Sequence, residues 1–163
     1  MIVGKGNIAK CLRDREGAIF FASGVSNSST SNPDDFARER KLITKIWREA
    51  DVNDTIFYFS SIRVQTDNPD HPYTRHKIRM EKHIQLLFDH YVILRIGNLI
   101  GDKNPNTFVN YLRSHPEAEI KDEYRYMIDP NMLNTLCQTL PLRKHIQLNA
   151  FSYMAKVKDI ISK

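Results

Sequence analysis

TIFYFSS at Thr55–Ser61 and YVILRIG at 91–97 are two apolar runs rich in β-branched and aromatic residues. Residues 73–90, between them, repeat apolar side chains at helical spacing. Strands that are apolar along their whole length are covered on both faces, and such strands are typical of parallel sheets. A strand, a helix and a second strand of these lengths therefore predict an α/β fold, a three-layer parallel sheet with crossover helices.

The same alternation extends outward from this unit. Upstream, Asn32 can cap a helix that begins at Pro33 and runs to about Ala50, and a serine-rich loop separates it from an apolar run at 19–22. Downstream the pattern is less regular. It predicts a helix at 107–114, one or two weak strands within 118–128, a helix at 131–140, a strand at 146–149 and a final helix capped by Ser152.

Length, composition and charge limit the function classes. The 163 residues are 41% hydrophobic and 26% charged, as expected for one globular domain. There is no apolar run of about 18 residues and no secretory pattern, so we expect a cytoplasmic protein and no membrane partner. Cys11 and Cys137 are too few for a zinc motif and are expected to be reduced. The net charge of +5 suits either an anionic ligand or a solvated basic surface. The Lys and Arg residues are scattered along the sequence, so we expect no nucleic-acid partner.

The chain starts with Ile2-Val3, followed by GKGNIA and a helix expected to reach about Arg15. A strand, G-x-G-x-x-A and a helix form the turn of dinucleotide-binding folds, in which the glycines Gly4 and Gly6 let the backbone approach a pyrophosphate. An acidic residue for the adenosine ribose normally follows about 20 residues later. Residues 20–23 contain no acid, and the pattern lacks the second and third strands of the usual arrangement. We therefore predict a shortened Rossmann-like sheet.

A second motif follows the strand at Thr55–Ser61. Tyr73 and Lys77 lie four residues apart at the start of the next helix and share a face. An ammonium close to a phenol favours the phenolate, so this tyrosine can exchange a proton with a substrate hydroxyl. Ser61, at the strand end, can hold the same oxygen. The alternative is a surface tyrosine and a solvated lysine, because Y-x-x-x-K is common by chance.

Together these blocks resemble the extended short-chain dehydrogenase/reductase superfamily, in particular the NAD-dependent epimerase/dehydratase family that acts on nucleotide sugars. GKGNIA resembles the cofactor turn, and FFASG resembles the strand that packs against the dinucleotide. YFSSIRV and YTRHK resemble the segments that hold the catalytic serine, tyrosine and lysine. ILRIGNLIG resembles the family's R-x-x-N-x-x-G motif, with Arg95, Asn98 and Gly101 in register.

The resemblance implies the following site residues. Those implied to be catalytic are Ser61, Tyr73 and Lys77. Those implied to bind the cofactor, NAD or NADP, are Gly4, Gly6, Asn7, Ile8, Ala22, Ser23 and Lys77. Those implied to bind a nucleotide-sugar substrate are Ser61, Asn98 and Arg125. The resemblance also implies a homodimer formed by the helices near 33–50 and 73–90.

We expect one domain over 1–163, with a reduced substrate-binding part at about 102–163. No metal site is expected, because His76, His83 and His90 recur every seven residues and lie about 10 Å apart by helix rise. These histidines are expected to be exposed or at a subunit contact. The resulting hypothesis is an NAD(P)-dependent epimerase, dehydratase or reductase of nucleotide sugars. The alternative is a non-catalytic nucleotide-binding module or partner subunit, which the missing adenosine-side strands favour.

Overall fold

A computed structural model describes residues 1–101, 108–115, 117 and 123–161. The helices and strands alternate along most of the chain. In order they are β1 (Ile2–Val3), α1 (Asn7–Cys11), β2 (Ala18–Phe21), α2 (Pro33–Glu49), β3 (Thr55–Ser61), α3 (Arg63–Thr66), α4 (Pro72–Leu87), β4 (Tyr91–Ile96), β5 (Asn98–Leu99), α5 (Phe108–Ser114), β6 (Tyr124–Ile128), α6 (Pro130–Thr139), β7 (His145–Ala150), β8 (Tyr153–Lys156) and α7 (Val157–Ile161).

Five strands form one parallel sheet in the order β1-β2-β3-β4-β7. The predicted α/β parallel sheet is confirmed. β1 pairs directly with β2, and within the described ranges no strand lies beyond β1, so the sheet is shortened on that side as predicted. Because the strands are parallel, the segments that follow β1, β2, β3 and β4 all leave the sheet at one edge. Gly4, Ala22 and Gly97 follow β1, β2 and β4 at that edge, and Ser61 ends β3 there.

Alternating side chains along the strands build two apolar cores, one on each face of the sheet. Phe20 and Phe57 pack on the face covered by α1 and α6, whereas Phe21 and Tyr58 pack on the face covered by α2 and α4. This is the predicted three-layer arrangement. Every residue of β2, and all of β3 except Ser61, is buried, which explains why their sequences show no polar face.

Helix starts follow the local sequence signals. The Asn32 side chain accepts a hydrogen bond from the backbone of Asp34, and Pro33 opens α2, as predicted. Asp129 similarly accepts from the backbone N–H groups of Asn131 and Met132 and caps α6. The acid that follows β6 thus begins the next helix directly.

Three sequence predictions about the elements are wrong. α1 ends at Cys11 instead of continuing to Arg15, whose guanidinium donates to the carbonyls of Cys137 and Leu140 at the end of α6. Ser152 does not cap a final helix: its backbone N–H and hydroxyl bond to β6 and to the backbone of Asp129, and β8 follows it. α4 ends at Leu87 because Phe88 adopts an extended backbone.

β5, β6 and β8 form a second, three-stranded sheet of mixed direction. It begins at the carboxyl end of β4, where Gly97 lies so close to β6 that a Cβ atom would be 2.5 Å from the carbonyl oxygen of Tyr126. The predicted weak strand preceding Tyr124 lies outside the described residues. β7, which belongs to the main sheet, lies inside the range expected for the substrate-binding part. Within the ranges that the structure describes, no helix is both long enough and apolar enough to cross a bilayer.

Candidate active site

The glycine turn joins β1 to α1 at the carboxyl edge of the sheet. Gly4 has a φ of +135°, and a Cβ atom there would lie 2.5 Å from the carbonyl oxygen of Ala22, so only glycine fits between the two chain segments. Gly6 differs, because no atom lies within 4 Å of the place where its Cβ would be. The corner at Gly6 is therefore open, and its backbone can be approached from outside. Asn7 and Ile8 follow in the first turn of α1, and both are partly exposed.

Ser61 is the last residue of β3 and is only partly buried. Its hydroxyl accepts a hydrogen bond of 3.3 Å from the backbone N–H of Arg63. The chain then forms the single turn of α3 before α4 begins. Ser61 thus lies at the predicted strand end.

Tyr73 is in the first turn of α4, and its side chain is buried. The Arg63 guanidinium carbon lies 5.7 Å from the centroid of its ring, and the Lys77 Nζ lies 5.9 Å from the same centroid. Both distances are within the range of cation–π contacts. The Tyr73 ring is therefore close to two cationic side chains.

Lys77 is also buried, at 2% exposure, and it takes part in a hydrogen-bonded cluster that the sequence motif does not include. Its Nζ donates to Glu39 Oε1 at 3.2 Å and to the Tyr58 hydroxyl at 3.1 Å. Tyr58 in turn donates to Glu39 Oε1 at 2.7 Å. The alternative of a solvated lysine is wrong, since this ammonium is held between β3 and α2. We call Glu39, Tyr58, His76 and Lys77 the Glu39 cluster.

Glu39 is fully buried, and its two carboxylate oxygens accept hydrogen bonds from four groups. Besides Tyr58 and Lys77, the donors are the backbone N–H of Val25 at 2.6 Å and His76 Nε2 at 2.9 Å. Burial acts to raise the pKa of Glu39, but the charge of Lys77 and these hydrogen bonds outweigh it, so that the pKa lies well below its usual range. Glu39 is therefore ionised in the folded chain.

Tyr58 is a neutral member of the same cluster. Complete burial and the neighbouring Glu39 carboxylate raise its pKa well above the usual value of about 10. Its hydroxyl donates to Glu39 and accepts from Lys77, so it links the two charges without adding one. Among the described residues, Glu39 is the one carboxylate bonded to the Lys77 ammonium.

Gly24, in the loop after β2, lies directly over this cluster. A Cβ atom at Gly24 would be 2.8 Å from Glu39 Oε1 and 2.9 Å from Lys77 Nζ. The absence of a side chain at this position is what allows the carboxylate and the ammonium to lie against the loop. The preceding residues Ala22 and Ser23 are partly exposed at the same edge of the sheet.

A second buried ion pair lies further along α4. Glu81 accepts two hydrogen bonds from the Arg95 guanidinium, and its oxygens also accept from the Ser60 hydroxyl at 2.6 Å and the Gln147 side chain at 2.8 Å. These contacts connect α4 to β3, β4 and β7. Arg95, which the R-x-x-N-x-x-G motif places in register, is thus a structural partner of Glu81.

Two of the three residues predicted to bind substrate, Asn98 and Arg125, lie in the small sheet, whereas Ser61 ends β3 of the main sheet. Asn98 begins β5, and its side-chain amide donates to the carbonyl of Tyr126 at 3.2 Å, which ties β5 to β6. Arg125 lies on β6 and forms an ion pair with Glu123. Asn98 lies at the same edge of the sheet as the glycine turn. Its side-chain nitrogen is engaged by the carbonyl of Tyr126, and its side-chain oxygen is not part of that bond.

The histidine series has a different arrangement from the one expected. His76 is 7% exposed and stacks on Phe36 with ring centroids 4.4 Å apart, so the expectation that it is exposed is wrong. His83 contacts the Thr44 hydroxyl at 3.1 Å, between α2 and α4. No group of three metal-ligating side chains occurs in the part of the chain that the structure describes.

Sequence reasoning did not identify Glu39 or Tyr58 as site residues. A signal was present for Glu39, because Phe36, Glu39, Ile43 and Ile46 follow helical spacing, and three of the four are apolar. A carboxylate on the apolar face of a helix needs a buried partner. For Tyr58, in the uniformly apolar strand β3, the sequence contained no such signal.

No family model matches the chain, and no curated protein matches it either. Solved structures do match over almost the whole chain. It aligns with the UDP-N-acetylglucosamine 4-epimerase of Methanobrevibacter ruminantium M1, solved with UDP-N-acetylmuramic acid, at 17% identity and a TM-score of 0.64, covering 96% of this chain and 62% of that one.

Two further epimerases show the same similarity. The UDP-glucuronic acid 4-epimerase of Bacillus cereus, solved with UDP-glucuronic acid and NAD, has 15% identity, a TM-score of 0.70, and coverage of 96% of this chain and 60% of that one. The UDP-glucose 4-epimerase of Thermus thermophilus, solved with NAD, has 12% identity and a TM-score of 0.65. The alignment covers 90% of this chain and 60% of that one. The chain thus spans about 60% of the length of these enzymes, and it shares their α/β Rossmann-like fold.

Proposed function

We propose that this chain binds a nicotinamide dinucleotide and a nucleotide sugar at the carboxyl edge of its parallel sheet. The observation that carries the proposal is the glycine corner. Gly4 closes the turn against Ala22, whereas Gly6 leaves the backbone open to a ligand. The blocks FFASG, YFSSIRV and ILRIGNLIG also end at this edge of the sheet. Epimerases with the same fold are solved with NAD and UDP-sugars.

Each site residue has a proposed role. Gly4, Gly6, Asn7 and Ile8 would admit the pyrophosphate, and Ala22 and Ser23 would lie along the dinucleotide. Asn98 and Arg125 would hold the nucleotide sugar, together with Ser61. Every residue of this set is exposed or partly exposed, as ligand binding requires, and Gly4 is the one whose Cβ position is blocked by the neighbouring backbone.

The proposed chemistry centres on Tyr73. Its phenol would exchange a proton with a substrate hydroxyl that Ser61 holds, while the nearby charges of Lys77 and Arg63 stabilise the phenolate. A bound nicotinamide ring would supply the hydride exchange that accompanies this proton transfer.

The part of the chain that would face the adenosine of a dinucleotide fits that ligand less well than the glycine turn fits its pyrophosphate. β1 is at the sheet edge, and residues 20–23 offer no carboxylate for a ribose. Lys77, a predicted cofactor ligand, also uses two of its three N–H donors within the Glu39 cluster. These two observations favour a second candidate, a non-catalytic nucleotide-binding module or partner subunit with the same fold.

Calorimetric titration of the purified chain distinguishes the two candidates. The enzyme proposal predicts saturable binding of NAD or NADP and, in its presence, binding and conversion of a UDP-sugar. The module proposal predicts binding of a nucleotide or nucleotide sugar without conversion. If the chain bound neither a dinucleotide nor a nucleotide sugar, both proposals would be rejected.

We also propose a homodimer formed by α2 and α4, the helices near 33–50 and 73–90. On these helices Trp47 is 42% exposed and Leu86 is 84% exposed in the single chain. Large apolar side chains at adjacent helix surfaces are typical of subunit contacts.

A cytoplasmic location and the absence of nucleic-acid and membrane partners remain predictions from the sequence.

The dimer can be tested by light scattering coupled to gel filtration. The wild-type chain is expected to have twice the mass of one chain, and Leu86→Glu is expected to be monomeric, since a carboxylate cannot be buried at the contact without a partner. Met154→Glu, on β8, changes a 50% exposed side chain away from these helices and should leave the mass unchanged. A monomeric wild type, or a dimer that tolerates Leu86→Glu, would refute the proposed contact.

A further inference from the structure

The Lys77 ammonium is at 2% exposure, and a cation so deeply buried is stable only with a counter-ion. A lysine that is buried without a counter-charge changes its proton affinity by as much as about 3–5 pH units and becomes neutral near neutral pH. In this chain the Glu39 carboxylate, at 0% exposure, is bonded to Lys77 Nζ at 3.2 Å. Glu39 is not part of the Y-x-x-x-K motif.

Glu39 can affect Tyr73 in two opposite ways. Its negative charge partly cancels the field of Lys77, which would make the phenol of Tyr73 harder to ionise. However, Glu39 also keeps Lys77 charged, and without that charge there is no field to cancel. Because loss of the lysine proton removes a whole unit charge at 5.9 Å from the Tyr73 ring, the second effect is expected to be larger.

We propose that Glu39 is a positioning residue for the Tyr73–Lys77 pair, which keeps the buried Lys77 protonated and fixed beside the Tyr73 ring. The inference rests on the proposed role of Tyr73 as the acid/base group. Glu39 acts only through Lys77. The fixed geometry follows from the other contacts of the carboxylate, since the backbone of Val25 and the side chain of Tyr58 hold Glu39 in place from two different elements.

The charged and titratable groups around Lys77 come from every element packed against it. α2 contributes Glu39, and β3 contributes Tyr58, which stays neutral. α4 contributes Tyr73 and His76, of which His76 contacts Glu39 Oε2, and α3 contributes Arg63, whose guanidinium contacts the Tyr73 ring. Glu81, further along α4, is already paired with Arg95.

The test follows the ionisation of Tyr73 by NMR of the chain labelled with carbon-13 at the tyrosine ring, with the Tyr73 signal identified by its loss in Tyr73→Phe. In Glu39→Gln, Tyr73 should ionise at a pH at least about one unit higher than in the wild type, which is a tenfold change in the acid constant. Lys77→Met should raise it at least as far, because the Glu39 charge remains, and the double variant should match Glu39→Gln. An unchanged or lower ionisation pH in Glu39→Gln would overturn the proposal.

Glu81→Gln is the matched control, because it makes the same change at another buried glutamate whose partner is an arginine that keeps its charge. It should not raise the ionisation pH of Tyr73. Glu39→Asp retains the carboxylate and should restore the wild-type behaviour. Where Glu39→Gln does not fold, the carbon-13 shift of the Lys77 side chain in the wild type decides, since a neutral amine at neutral pH contradicts the inference.

This experiment needs no ligand, so its outcome is independent of the proposed function. If the ionisation of Tyr73 depends on Glu39 but no dinucleotide binds, the positioning role stands and the proposed enzyme does not. If a dinucleotide binds and a UDP-sugar is converted, but the ionisation pH of Tyr73 is the same in Glu39→Gln as in the wild type, the proposed enzyme stands and the positioning role does not.

Discussion

Replacing Lys77 with methionine is expected to destabilise the folded chain by about 3–5 kcal/mol, because it leaves the Glu39 carboxylate buried without its counter-ion. Methionine fills much of the same volume, so the loss arises from charge and not from a cavity. The free energy of unfolding, measured by urea denaturation at neutral pH, tests the prediction. A loss below about 1 kcal/mol would mean that Lys77 and Glu39 do not form a buried pair.

Two comparisons separate this effect from a general loss of a lysine. Lys45→Met removes an exposed partner of Glu49, 3.8 Å away, and should cost less than about 1 kcal/mol. The double variant Glu39→Gln with Lys77→Met should be less destabilised than Lys77→Met alone, since no charge is then left unpaired. The loss of stability in Lys77→Met should also shrink as the pH falls, because a buried glutamate without its counter-ion has a raised pKa and accepts a proton in the folded chain.

The low pKa of Glu39 sets the direction of the pH dependence in the wild type. A carboxylate whose pKa is lowered by folding contributes stability that is complete above its unfolded value of about 4.3 and is lost as the pH falls below that value. Glu39 therefore contributes to acid unfolding of the wild-type chain, and a variant without it loses this contribution.

On the proposed enzymatic function, replacing Tyr73 with phenylalanine is expected to lower the turnover of a UDP-sugar about 10²–10⁴-fold, the usual contribution of a general acid/base group. Phenylalanine keeps the buried ring near Arg63 and Lys77 and removes only the hydroxyl. Turnover is measured by chromatographic separation of the sugar nucleotides, at saturating dinucleotide, on the UDP-sugar that the wild type converts. Binding of the dinucleotide should be unaffected.

Tyr91→Phe is the control for this substitution. Tyr91 begins β4 at the opposite edge of the sheet, where its ring stacks on His145 with centroids 4.9 Å apart. It should retain wild-type turnover. Wild-type turnover in Tyr73→Phe would show that Tyr73 does not transfer the proton, and the site would then have to be assigned to other residues.

The sequence was sufficient for the parallel sheet because β2 and β3 have an unbroken apolar pattern that few other structures tolerate. The start of α2 was equally clear, since Asn32 and Pro33 form a local signal that needs no tertiary contact. The end of α1 and the strand β8 were not predictable. Both depend on distant contacts, those of Arg15 with α6 and of Ser152 with β6.

The candidate site shows the same division. Sequence spacing was enough to place Tyr73 and Lys77 on one side of a helix at the correct edge of the sheet. Sequence spacing could not predict that Lys77 binds Glu39, because Glu39 is 38 residues away and lies among the charged residues of α2. Whether a lysine meets solvent, a ligand or a buried carboxylate is decided by the packing of α2 against α4.

The binding of a dinucleotide at the glycine corner is tested most directly by native mass spectrometry of the wild type and of Gly6→Val with NAD and NADP. Gly6 has a φ of −75°, which any residue adopts, and open space at its Cβ position. Valine is a poorer N-cap than glycine, so it should lower the free energy of unfolding by no more than about 2 kcal/mol and leave the chain folded, while it fills the space that a pyrophosphate would need. We predict one dinucleotide per chain on the wild type and none on Gly6→Val. A wild type without dinucleotide, or equal binding by both chains, would contradict the proposed site.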